Sequence, residues 1–158
     1  MKCKKVIQMS IYETPIDFKK HIQPMTQLVG IDYGTKRIGV AVSDLMQMTA
    51  TPLKIVSSMD ELEKLLSDRI IGGFVVGLPK QMNGEEGEQA KVTRAWVQKL
   101  YEKYTLPILF WDERLSSAAV SRIFIEQADL SRKRQKEVMD KVAAAYILQG
   151  ALDLLCRF

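Results

Sequence analysis

The chain alternates short, continuously apolar runs with stretches of helical apolar spacing. Residues 28–31 and 38–42 are rich in β-branched side chains and flank a polar turn containing Gly34, the pattern of a β-hairpin. Gly34 is expected to reverse the chain at positive φ. "TPLKIVSS" predicts a third strand, and "SMDELEKLLSD" opens with a capping box from Ser58 to Glu61 before a helix facing inward through Leu62, Leu65 and Leu66. "IIGGFVVGLP" is a fourth strand. The loop "KQMNGEEG" follows, then a helix whose Val92, Trp96, Val97 and Leu100 recur at helical spacing. "LPILFWDER" predicts a fifth strand ending in acids, "SSAAVSRIFIEQ" a short helix, "ADLSRKRQKE" a basic connection, and residues 136–156 a long apolar helix. The resulting βββαβαβαα order implies an α/β fold with a mixed five-stranded sheet, three antiparallel strands first and parallel strands after.

Residues 1–27 are more polar and hold Pro15, Pro24 and the single His21, so they are expected to be an extension preceding one domain over 28–158. Ile7, Met9 and Ile11 alternate within 6–12, which suits an added edge strand.

A length of 158 residues, 47% of them apolar, is enough for one domain with a core of its own. Lys and Arg number 23 against 19 acids, a net charge of +4 that permits an anionic partner without demanding one. Cys3 and Cys156 stand near opposite ends, so neither a zinc-ligand spacing nor a disulfide framework is present. No stretch reaches the ~18 apolar residues of a membrane span. The expected setting is the cytoplasm, without membrane attachment.

The candidate chemistry lies at strand ends. Asp32 closes the first strand, and Asp112 with Glu113 closes the fifth. In open α/β sheets ligands bind beyond these carboxyl ends. Asp140 shares a helix face with Ala143, Ala144, Ile147 and Ala151, a small apolar face that would carry its carboxylate toward the sheet. Three carboxylates from separate elements form a hard, oxygen-rich donor set of the kind Mg²⁺ or Mn²⁺ occupies. Each acid also has a plainer reading: Asp32 as a turn cap, Asp112 or Glu113 in a surface ion pair with Arg114, and Asp140 paired with Lys136 or Lys141. The run "RKRQK" of 132–136 reads as a solvated face, and His21 has no assigned role.

"GIDYGTKRIGVAVSD", "VVGLPKQMNGEEG", "WDERLSS" and "VMDKVAAAYILQ", in this order, resemble the YqgF/RuvX family over residues 28–155. The family has the RNase H-like fold of the RuvC resolvases. Its members are described as Holliday junction resolvases acting on branched DNA and as nucleases processing the 5′ end of pre-16S rRNA. Carried over by motif, the resemblance implies a metal-dependent phosphodiesterase with Asp32, Glu113 and Asp140 as catalytic acids and ligands of Mg²⁺ or Mn²⁺. Lys36, Arg37 and Arg114 would then lie near these acids and bind backbone phosphates of a pre-rRNA or branched DNA. The protein is expected to act as a monomer or homodimer. Two departures stand out: the 27-residue extension, and Met139 where a smaller aliphatic is common. "DYGTKRIGVAV" also resembles the first phosphate loop of actin-like ATPases, but no second copy of the hairpin exists in this length. A non-catalytic RNA-binding module for ribosome assembly is the alternative of another class.

Overall fold

The computed structural model describes residues 9–115 and 131–158. In chain order the elements are β1 (Ile11–Tyr12), α1 (Pro15–Lys19), β2 (Gln27–Tyr33), β3 (Ile38–Ser43), β4 (Ala50–Val56), α2 (Met59–Leu66), β5 (Ile71–Leu78), α3 (Glu88–Tyr104), β6 (Ile108–Asp112), a 3₁₀ turn (Glu113–Leu115) and α4 (Arg132–Leu155). The short helix expected over 116–127 lies outside the described residues.

The strands form one sheet in the order β1-β6-β5-β2-β3-β4. β2 pairs antiparallel with β3 and β3 with β4, while β5 runs parallel to both β2 and β6. The five expected strands are all present. A sixth is added by the two-residue β1, parallel to β6.

The central strands read as continuous apolar runs because both faces are covered. Val29, Ile31, Val40, Phe74, Val76 and Phe110 turn to one face, under Leu62 and Leu66 of α2 and Trp96, Val97 and Leu100 of α3. Leu28, Ala41, Val75, Leu109 and Trp111 turn to the other, under Ala144, Ile147, Leu148, Ala151 and Leu152 of α4. Side chains with no exposure, such as Phe74 and Leu100, each stabilise the fold by roughly 1.5–3 kcal/mol. The segment before β2 joins the same layers: Phe18 is buried with the α4 cluster, Lys19 Nζ donates to the Leu155 carbonyl at 2.7 Å, and Glu13 pairs with Arg94 of α3 at 2.6 Å.

Several local expectations are corrected. Gly34 does not adopt positive φ. It is suited to the turn by close approach, since its N–H donates to the Arg37 carbonyl at 2.9 Å and a Cβ would stand 2.8 Å from that oxygen. The last helix begins at Arg132 instead of 136: Ser131 Oγ accepts from the Arg134 N–H, and the straight-chain Arg, Lys and Gln residues that follow favour helix without an apolar period to reveal it. Val92 is 39% exposed, because α3 faces the sheet through Ala90, Thr93, Trp96, Val97 and Leu100. In α2, Ser58 Oγ caps the Glu61 N–H as expected, but the Glu61 carboxylate accepts from Ser57 N–H and Oγ, one residue earlier than a standard box. No helix of the described residues is long and apolar enough to cross a membrane.

Candidate active site at the carboxyl ends of the strands

Asp32 and Tyr33 end β2, and Tyr33 stacks on Trp96 with ring centroids 4.7 Å apart, tying this strand end to α3. Antiparallel partners share a face, so Asp32 lies beside Gly39 of β3 on the side that α4 covers. A Cβ on Gly39 would overlap the Asp140 carbonyl oxygen. The absence of that one carbon is therefore what lets α4 settle onto β3 at Asp140, next to Asp32.

Glu113 reaches the same face from β6. Trp111 packs under α4, and alternation turns Asp112 away and brings Glu113 back. A Cβ on Gly77 of β5 would stand 2.6 Å from both Glu113 Oε1 and Ile147 Cδ1, so the Glu113 carboxylate lies across the bare backbone of Gly77. Gly77 pairs with Trp111 and continues the β5 register to the level of Asp32 on β2.

Asp32 and Asp140 line one cleft of about 430 Å³ with Gly34, Thr35, Lys36 and Arg37. Glu113 stands one strand away, over Gly77. Among the described residues, no three Asp, Glu, His or Cys side chains are grouped as a ready-made metal site. The donor chemistry, hard carboxylates on two floors of glycine, nonetheless fits a hard divalent cation.

Arg37, expected as a phosphate contact, also stands next to an acid. Its Nη1 lies 4.0 Å from Asp140 Oδ2, both side chains about one-third exposed or less, and it is buried with no hydrogen-bond acceptor among the described residues. Asp140 thus meets a cation from the hairpin turn. Arg114 is differently engaged: its Nη2 is 2.6 Å from Asp112 Oδ2, its Nε also donates to that carboxylate, and its backbone N–H donates to Oδ1 at 3.0 Å. The surface-pair reading holds for Asp112 and Arg114, while the Glu113 carboxylate lies over Gly77 of β5.

The Arg114 side chain, with help from its backbone N–H, holds the Asp112 carboxyl below the usual carboxylate range. A depressed folded-state value means the stabilisation is present above the unfolded value, about 3.9, and is lost as pH falls through the lower folded one. Asp112→Asn is expected to flatten the acid limb of the stability curve below about pH 4. Melting temperatures of wild type and variant between pH 2 and 7 check this; parallel curves would remove the Asp112 contribution.

A family model described as "RuvX: Holliday junction resolvase" matches residues 26–154. The chain belongs to the RuvX family. Three relatives carry the name of candidate pre-16S rRNA nucleases. That of Rhodobacter capsulatus is 50% identical over 145 residues, covering 88% of this chain and 91% of the relative. That of Ruegeria sp. is 48% identical over 149 residues, covering 90% and 94%, and that of Rhodospirillum rubrum 45% over 146 residues, covering 89% and 91%. Among solved structures, T. thermophilus RuvC in complex with a Holliday junction substrate matches at a TM-score of 0.50 and 11% identity, over 82% of this chain and 96% of that one. That likeness establishes the fold, the RNase H-like arrangement of the RuvC resolvases. Resolvase and nuclease both denote phosphodiester hydrolysis, and RuvX proteins are phosphodiester hydrolases in that sense.

Proposed function

We propose that the chain is a divalent-metal-dependent nuclease of the cytoplasm that cuts a pre-16S rRNA, with Asp32, Glu113 and Asp140 as the acids of its site. The observation that carries this reading is the meeting of Asp32 and Asp140 in one cleft at the strand ends, with Lys36 and Arg37 on its rim. The names of relatives up to 50% identical support the substrate.

Hydrolysis joins a water oxygen to phosphorus while the bond to the leaving oxygen breaks. Bound Mg²⁺ or Mn²⁺ would supply a polarised water and charge stabilisation at the leaving oxygen. The chain's own residues do the rest. Asp32, Asp140 and Glu113 would hold the cation, with no histidine or nucleophilic side chain required. Lys36 and Arg37 bind backbone phosphates and offset the repulsion between the acids and a polyanion. Arg37 also screens Asp140 while no substrate is bound. Arg114 contributes less to affinity, since Asp112 already holds its guanidinium.

The family description favours a second substrate, a four-way DNA junction. Purified protein incubated with Mg²⁺ or Mn²⁺ on a pre-16S leader RNA and on a four-way junction separates the two. Cleavage of the RNA is expected with metal and none in EDTA. Undiminished cutting in EDTA would defeat the metal role, and cutting of the junction alone would move the substrate to DNA. Binding of RNA without cleavage under either metal would mark a non-catalytic assembly module. Oligomeric state, monomer or homodimer, is read from sedimentation of the same sample.

A further inference from the structure

The cleft of Asp32 and Asp140 does not end at the hairpin turn. Lys36 and Arg37 also line a second cleft of about 480 Å³, which adds Lys54 of β4, Arg134 and Lys141 of α4, and Glu61 of α2. Lys54 and Glu61 in turn line a third hollow of about 410 Å³ with Lys64. Among the described residues, the only acid lining the second and third is Glu61, and both its oxygens are engaged by Ser57. A track with cations along its whole length therefore leads away from the catalytic acids.

Its path is set by the fold. β4 is the edge strand, α4 covers one face of the sheet and α2 the other. Arg134, Val138 and Lys141 recur at offsets of four and seven, one stripe of α4 beside the stripe that carries Asp140. The second cleft is lined from both layers, so the track passes around the open edge of the sheet. DNA duplexes stay stiff over roughly 150 base pairs, too stiff to follow such a bend within a few nucleotides. A single strand can follow it.

We propose that this track, Lys54, Arg134 and Lys141 with Lys64 beyond, is a phosphate-binding subsite for one single strand of the substrate, on one side of the scissile bond. It contacts phosphates and reads no bases. The proposal rests on the nuclease reading above for its location, and its test does not require cleavage.

The test measures binding of fluorescent single-stranded leader RNAs to Asp32→Asn protein across a salt series, with Lys54→Ala, Arg134→Ala and Lys141→Ala added singly. All three side chains are exposed, and a thermal melt of each variant verifies folding. Each loss is expected to weaken binding about three-fold and to lower the salt slope by about 0.7, one phosphate contact on a single strand. Lys141→Arg should restore both. Shortening the RNA from the end that enters the track should abolish the differences between variants, while shortening the other end should leave them. Salt slopes unchanged in all three variants would overturn the track, as would equal losses on a blunt duplex of the same length. Inorganic phosphate competing as well as the RNA, at equal phosphate concentration, would replace the strand subsite with an isolated anion site. Failure of the wild type to cleave either nucleic acid bears on the nuclease reading alone.

Discussion

Asp32→Asn is expected to lower cleavage by more than the roughly 10–100-fold that loss of an outer-shell partner costs a metal site. The amide keeps the size and shape of the side chain but removes a charged oxygen donor where hard cations require one. Asp32 sits at the end of a strand whose preceding residues are buried on both sides, so the backbone at this position is held by its neighbours and not by the carboxylate. The melting temperature should therefore stay close to wild type. Initial rates on the leader RNA, measured over a range of Mn²⁺ and Mg²⁺ concentrations beside a thermal melt, check the expectation. Wild-type rates would move the chemistry away from β2. A loss repaired at high metal concentration would show that Asp32 acts through affinity for the ion, whereas a loss that no concentration repairs would place it in the reacting geometry.

Gly39→Ala is expected to be the most damaging single change to the fold near the site. The added methyl would occupy the position of the Asp140 carbonyl oxygen, a backbone atom of α4 that cannot rotate away. Overpacking costs typically 1–3 kcal/mol, and a clash with backbone belongs at the upper end. A loss of about 3 kcal/mol lowers the melting temperature of a domain this size by about 6–12 °C. Activity should fall further than stability at temperatures where the variant is folded, because the helix that carries Asp140 must lift or slide. Gly77→Ala should act on the other acid, pressing on Glu113 and Ile147 together. A Gly39→Ala variant with wild-type melting and cleavage would show that α4 does not bear on β3 at this point.

The expectation of Arg37 and Arg114 as equivalent phosphate contacts illustrates what local pattern conveys. Both belong to a motif that also carries an acid, Asp32 for Arg37 and Glu113 for Arg114. In the fold they differ: Arg114 turns back to Asp112 two residues away, a contact its own sequence already permitted, while Arg37 meets Asp140, an acid far along the chain that the fold brings into the same cleft. Arg134, part of a run expected to be a solvated face, and Lys141, expected only as a partner for Asp140, become part of a cleft because β4 is an edge with α2 on its other side.

The amino-acid sequence by itself determined the five main strands, the helices α2 and α3 and most of α4, and it singled out candidate acids at two strand ends and within the last helix. These follow from periodicity, capping and β-branched runs, which report burial within a few neighbouring residues. It also determined the family, through four motifs whose order no composition imitates. Tertiary structure alone decided the rest. Gly39 and Gly77 matter because α4 and Glu113 lie across them, and a missing side chain has no periodic signature. The approach of Arg37 to Asp140, the parallel pairing of β1 with β6, and the continuity of the acidic and basic clefts depend on strand order and on where α4 crosses the sheet. Those are contacts between residues far apart in the chain, fixed by register and helix placement, on which local pattern carries no information.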